Sequence, residues 1–261
     1  MQDCIFLSLK RVALVLMAAF LVACVSTQES SKYQINEDKA LESHVTLALK
    51  YIDSKNRESA RHHLRRALDL DSRSIDANFA LAMLYQLEGE MELAEKQFKK
   101  TLRLDRADSR THNNFGALLF NQGRFEEAYK QFEYASEDLD YKGRPQALVN
   151  LGRTALKLDK VEKAQAAFEN AARLSPAMAV VKYEIASLYF SQGEYKSAKQ
   201  YLAAYEQIAR PMPQSLLLGI KIERMFDNVN KEASYALLLK NKFPYSKEYL
   251  EYKSILEQSE Q

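Results

Sequence analysis

Few side chains in this chain are equipped for covalent or metal chemistry, and the best placed is Cys24. There are two cysteines, Cys4 and Cys24, and four histidines, His44, His62, His63 and His112. Cys24 closes an apolar run in the stretch FLVACVST and is followed by polar residues. His62 and His63 are neighbours and point about 100° apart on a helix, and no histidine has a second ligand at metal-binding spacing. The sequence has no glycine-rich phosphate loop, nucleophile elbow or paired-carboxylate signature. These residues argue against an enzyme and against a metal or other cofactor, and the charges read as solvated helix faces.

What precedes Cys24 is a leader. Lys10 and Arg11 form a basic patch, and Val12 to Leu21 is an unbroken apolar run of ten residues, the layout of a secretory signal. A membrane-spanning helix needs about 20 apolar residues, and the polar stretch STQESSKYQINEDK follows at once. The residues Leu21, Val22, Ala23 and Cys24 resemble the lipobox of bacterial lipoproteins, which implies cleavage after residue 23 and acylation (palmitate-type chains) on Cys24. Cysteine arithmetic agrees. Cys4 leaves with the leader, so the mature chain holds one thiol and no internal disulfide, and a lone thiol in an oxidising compartment makes sense when lipid caps it. Several acyl chains, each methylene worth about 0.8 kcal/mol when buried, hold a protein stably at a bilayer. In the lipoprotein sorting pattern an aspartate after the cysteine retains the protein at the inner membrane. Val25 stands there instead, which implies a lipid-anchored outer-membrane protein whose domain faces the periplasm.

The remainder reads as a globular chain, 47% apolar and 28% charged. Loss of Lys10, Arg11 and Asp3 with the leader brings the net charge from +2 to near +1, which makes no case for nucleic acid. Residues 24–36 form a short polar tether.

From residue 37 to 261 the chain repeats itself. Alanines recur at Ala60, Ala94, Ala128, Ala164, Ala198 and Ala233, with gaps of 34, 34, 36, 34 and 35 residues. Four residues after each stands a large apolar side chain: Leu64, Phe98, Phe132, Phe168, Leu202 and Leu237. Twelve residues before the first five stand Ala48, Ala82, Gly116, Gly152 and Ala186. Small residues at fixed places let two helices approach while the large neighbours fill the gap. Gly89, Gly123 and Gly193 fall five residues before the alanine column, where a chain reversal needs a left-handed residue; Asp159 and Asn228 take that place elsewhere. Lys55 predicts a looser first turn. Period and pattern resemble the tetratricopeptide repeat. The resemblance implies an all-α, right-handed superhelical solenoid of about six repeats, near 41–74, 75–108, 109–144, 145–178, 179–213 and 214–247, closed by a capping helix at 246–258. Lys221 and Arg224 mark the sixth as a divergent terminal unit. The extra two residues between the third and fourth repeats predict a longer loop within 136–145.

In this architecture the first helix of each unit lines a concave groove. Carried over from the alanine column, the groove residues are Val45, Leu49 and Ile52, then Phe79 and Met83, then Phe120, and further along Tyr183 and Phe190. Such a row suits an amphipathic helix or an extended apolar peptide; the alternative is that these side chains bury against neighbouring helices. The lysine/asparagine clamp that some such domains use for a peptide carboxylate is absent, since Phe79, Met83 and Val149 occupy its places. Lipobox, tether and six repeats together resemble the type IV pilus pilotins, the PilF/PilW lipoproteins. The resemblance implies a protein that binds the pilus secretin in its groove and brings it to the outer membrane to multimerise, as fimbrial assembly and twitching motility require. A scaffold for cell-wall enzymes or for outer-membrane protein insertion is the other reading of the same architecture.

Overall fold

The computed structural model describes residues 36–259, so the leader, the lipobox with Cys24 and the tether up to residue 35 lie outside the described residues. Among those described there is no strand, and no helix is long and apolar enough to cross a membrane.

The chain divides into two compact units at Ala107/Asp108. The first holds two helical hairpins: α1 (36–53) with α2 (Arg57–Leu70), and α3 (Ile75–Glu88) with α4 (Met91–Leu104). The second holds four. They are α5 (Ser109–Asn121) with α6 (Phe125–Glu137), α7 (Arg144–Lys157) with α8 (Val161–Leu174), α9 (Ala179–Ser191) with α10 (Tyr195–Glu206), and α11 (Pro213–Met225) with α12 (Val229–Lys242). A last helix, α13 (Lys247–Ser259), packs on α11 and α12.

Small-against-large pairing makes each hairpin. Ala60, Ala94, Ala128, Ala164 and Ala198 are completely buried. Gly116 lies against the ring of Phe132, and Gly152 against that of Phe168, so closely that a Cβ built on Gly152 would stand 2.5 Å from Phe168 Cε1. In the first unit Ala48, Ile52, Ala60, Leu64, Ala80 and Leu84 form one core cluster spanning both hairpins. In the second, Ala186, Ala198, Leu202, Tyr205, Leu218 and Ile222 join α9, α10 and α11 in one cluster.

Every hairpin reverses through one left-handed residue: Lys55, Gly89, Gly123, Asp159, Gly193 and Asp227. Lys55 corrects the expectation of a looser first turn. At φ 60 it closes the bonds Lys55 N–H to Ile52 O, 2.9 Å, and Asn56 N–H to Tyr51 O, 2.8 Å, the pair that Gly89 and Glu90 make on Gln86 and Tyr85. Asn56 then caps α2 by accepting from Ser59 N–H at 3.1 Å.

The sixth hairpin corrects the register. Its left-handed residue is Asp227, not Asn228; Asn228 is the cap of α12 and accepts from Lys231 N–H. Asp227 follows Gly193 by the regular 34 residues, so the columns fall on Ile220, Glu232 and Ala236. Ala233 is exposed and Leu237 is 60% exposed, whereas Ala236 and Leu239 are buried with Ile220 in one cluster. The small-against-large pair survives here as Gly219 on α11 against the Tyr235 ring on α12, where a Cβ built on the glycine would stand 2.9 Å from Tyr235 Cε2, one residue ahead of the columns, so following alanines alone slips the frame. Loop lengths behave similarly. The α6–α7 loop, residues 138–143, is two longer than the four-residue loops at 71–74, 105–108 and 175–178, and Arg144 ties it down by donating to Ser136 O at 2.7 Å. The α10–α11 connector, residues 207–212, is equally long, but α10 has only 12 residues, which keeps the period at 34.

Candidate functional site

Apolar surface in the second unit gathers in an open cleft of about 940 Å³. The first helices of successive hairpins supply its floor: Phe120 at the end of α5, Leu156 on α7, and Val180 and Tyr183 on α9. Phe120 is held in place by an edge-on contact with Phe125, ring centroids 5.2 Å apart, and Phe190 makes a tilted contact with Tyr195 at 5.4 Å. Tyr183 leans on Tyr205, 6.1 Å between centroids. Two smaller recesses continue the cleft. One, of about 170 Å³ between α5 and α7, shares Phe120 and Arg153. The other, of about 240 Å³, shares Tyr183, Gln214 and Lys247 and includes Phe190.

Charge in the cleft is arranged as well. Arg153 reaches from α7 to Glu184 on α9, with Nε donating to Oε1 at 2.7 Å. Glu184 is 8% exposed, and burial holds its carboxyl pKa above the ordinary value despite the attraction of Arg153. Burial and the neighbouring Glu184 push the Tyr183 phenol up to about 12, so it stays a neutral donor near neutral pH.

The expected groove residues therefore divide. Phe120, Tyr183 and Phe190 line the cleft system of the second unit. In the first unit Leu49 and Met83 remain partly exposed. Val45, Ile52 and Phe79 do not serve as surface, since they are only 6%, 8% and 5% exposed and belong to the core. Val45 packs with Ala67 and Ala77, and the Phe79 ring stands 6.3 Å from that of Phe98. Their position turns inward between helices rather than out of the hairpin.

Sequence reasoning missed two sets of residues. Ala209, Arg210 and Met212 enter the cleft from the α10–α11 connector, and Lys247 from the start of α13. The connector is pinned by Tyr205, whose hydroxyl donates to Arg210 O at 2.8 Å. The second set is a polar rung within hairpins, always 19 residues apart. His44 Nδ1 lies 2.9 Å from His63 Nδ1, Asn78 Oδ1 accepts from Gln97 at 2.6 Å, and His112 Nδ1 lies 2.7 Å from Gln131 Oε1. Among the described residues no three histidine, cysteine or carboxylate side chains group as metal ligands would. Asn114 on α5 donates to its own helix at Arg110 O, 2.8 Å. Asn150 on α7 donates across to Asn113 Oδ1 of α5 at 3.0 Å.

Stacked 34-residue helical hairpins that present a partly apolar cleft define a tetratricopeptide-repeat scaffold, a class built for protein–protein contact. A tetratricopeptide repeat model matches residues 45–109 and 149–213. The chain belongs to the family of the type IV pilus assembly protein PilF. It is 37% identical to PilF of Pseudomonas aeruginosa over 247 residues, which cover 94% of this chain and 98% of that one. The solved structure of Pseudomonas aeruginosa PilF superposes with a TM-score of 0.78, covering 84% of this chain and 99% of its own. That of PilW, described as a widely conserved type IV pilus biogenesis factor, is 24% identical with a TM-score of 0.72, covers 83% of this chain and 98% of its own, and shares the fold.

Proposed function

We propose that the protein is a pilotin of type IV pilus biogenesis, an outer-membrane lipoprotein that binds secretin subunits and promotes their localisation and multimerisation. The observation that carries this reading is the 37% identity to a type IV pilus assembly protein along nearly the full length of both chains. The lipobox-like residues Leu21 to Cys24 support the membrane address, and the apolar cleft supports a protein partner. In this reading the acyl chains on Cys24 carry the bound secretin subunit to the outer membrane from the periplasmic side. The protein performs no chemistry itself; it holds a segment until the ring closes.

Complementation of a deletion strain tests it. Wild type is expected to restore heat-stable secretin multimers in the outer-membrane fraction, surface pili and twitching. Cys24→Ser is expected to leave the protein out of that fraction, with secretin subunits unassembled. Unchanged outer-membrane fractionation of Cys24→Ser would sink the lipoprotein reading, and normal secretin multimers in the deletion strain would sink the pilotin reading.

A further inference from the structure

The cleft of the second unit has a charge imbalance that its apolar floor does not explain. Four cations border the main cleft, Arg153, Lys157, Arg210 and Lys247, against one carboxylate, Glu184; the recess beyond Lys247 adds Glu248, which is buried, and Glu251, which is paired with Lys221 at 2.6 Å. Glu184 is already engaged, since an Arg153 guanidinium nitrogen stands 2.6 Å from it. Lys157 and Arg210 are exposed and make no ion pair among the described residues. Lys247 has only a loose contact with Glu248 at 3.9 Å. These three cations come from three separate elements, the end of α7, the α10–α11 connector and the start of α13. They converge on the rim of one cleft. Like charges around a low-dielectric floor repel one another and focus a positive potential into it, and a carboxylate placed among them relieves both effects. The neutral Tyr183 phenol at the floor offers such a carboxylate a donor as well.

We propose that this cleft takes an acidic segment of the partner protein, with apolar side chains seated on Phe120, Leu156, Tyr183 and Met212 and carboxylates facing Lys157, Arg210 and Lys247. The identity of that partner rests on the pilotin reading; the chemistry of the segment does not. Specificity in such a site comes from charge, because an apolar floor alone accepts any greasy peptide. Binding is therefore salt-sensitive and is lost on charge reversal at the rim.

The probe is a labelled 12-residue peptide alternating leucine and phenylalanine with glutamate, compared with otherwise identical peptides carrying glutamine or lysine. Each is titrated by fluorescence anisotropy against the full chain in detergent, at about 50 and 300 mM salt, a change that shortens the screening length roughly twofold. The glutamate peptide is expected to bind at least about tenfold more tightly than the glutamine one, the lysine peptide least, and the advantage to shrink at high salt. Lys157→Glu with Arg210→Glu, both at exposed positions, should remove that advantage while the melting curve stays in place. Equal binding of the three peptides, or no effect of the double reversal, overturns the proposal. So does a concentration-dependent dimer dispersed by the same reversal, because the occupant would then be a second copy. Secretin assembly in cells is scored separately. Failure of the peptides with secretin assembly intact overturns the acidic segment alone, and failure of secretin dependence overturns the pilotin reading alone.

Discussion

Gly152 and Phe168 allow the pairing rule of these hairpins to be tested by a reversal of sign. A methyl group on Gly152 would stand 2.5 Å from Phe168 Cε1 and 2.8 Å from both Cδ1 and Cζ, and the ring is completely buried. Alanine in a helix interior is worth about 1 kcal/mol over glycine, but forcing an extra carbon into a packed core costs about 1–3 kcal/mol. Gly152→Ala should therefore be neutral to destabilising by about 2 kcal/mol. Leucine at 168 lacks the Cε1 and Cζ positions that crowd the methyl, and the Cδ carbons it keeps, unlike a rigid ring, can rotate away from it. Phe168→Leu alone should cost about 0.5–3 kcal/mol, and adding Gly152→Ala in that background should now stabilise by about 1 kcal/mol. Urea titrations of the four variants close the cycle, with the coupling expected at about 1–3 kcal/mol. If Gly152→Ala has the same effect in both backgrounds, the ring is not what requires a glycine, and the small-against-large account of the columns fails with it.

The correction at Phe79 has a direct consequence. Phe79→Ala with Met83→Ala should lower stability by at least about 3–5 kcal/mol, because the ring leaves a cavity beside Phe98; thermal melting checks it, and an unshifted melt would return Phe79 to the surface. Glu223, 1% exposed, accepts from Lys199 at 2.7 Å and Asn228 at 2.9 Å and pairs with Lys231 at 3.2 Å. Burial pushes its carboxyl pKa up, but these partners outweigh burial and hold it below the ordinary value. Glu223→Ala should cost about 1.5–3 kcal/mol near neutral pH. The contribution is present above the unfolded carboxylate pKa and is lost as pH falls through the folded one, so stability curves of variant and wild type should converge in acid. His63 runs the opposite chemistry with the same outcome. Partial burial and the charges of His44 and His62 hold its pKa below the ordinary 6.5, so the unfolded chain takes up the proton first. Stability of the α1–α2 hairpin should be full above that ordinary value and fall as pH drops towards the folded one; amide exchange at pH 7.5 and 5.5 reads it, and His63→Gln should flatten the response.

Much of the fold was legible because the repeat writes the same steric demand at each position. Ala60 through Ala198 mark where helices touch, and Gly89, Gly123 and Gly193 mark where the chain reverses, so fold class and hairpins follow from residue types. The frame slipped where a demand was met by other residues. Gly219 and Tyr235 meet the demand that Gly152 and Phe168 meet, one residue ahead of the columns, and Ala233 is an exposed coincidence. The candidate site was legible only in part, for two reasons. Phe79 and Phe120 look alike in sequence, yet Phe79 sits two turns earlier on its helix and faces Phe98 instead of solvent. Arg210 and Met212 lie in a connector outside the periodic columns, and nothing in their spacing foretells that Tyr205 fastens that connector over the cleft. The polar rungs, His44 with His63 and Asn78 with Gln97, escaped because partners 19 residues apart meet only once the hairpin closes.

The α10–α11 connector separates two properties that helical repeats usually bind together. Its extra length is compensated within the repeat by a shorter α10, and its backbone is fastened along its length: Ile208 and Ala209 N–H donate to Tyr205 O, the Arg210 carbonyl accepts from the Tyr205 hydroxyl, and Met212 N–H donates to Ser215 Oγ. Ala209 and Met212 pack on the core cluster of α9, α10 and α11, whereas the exposed Arg210 side chain borders the cleft alone. Substitutions at Arg210 change the charge at the cleft while the hairpins that hold it upright stay as they are. Related chains with identical columns could thus diverge in partner through this short segment, much as a tool keeps its handle when the bit is exchanged.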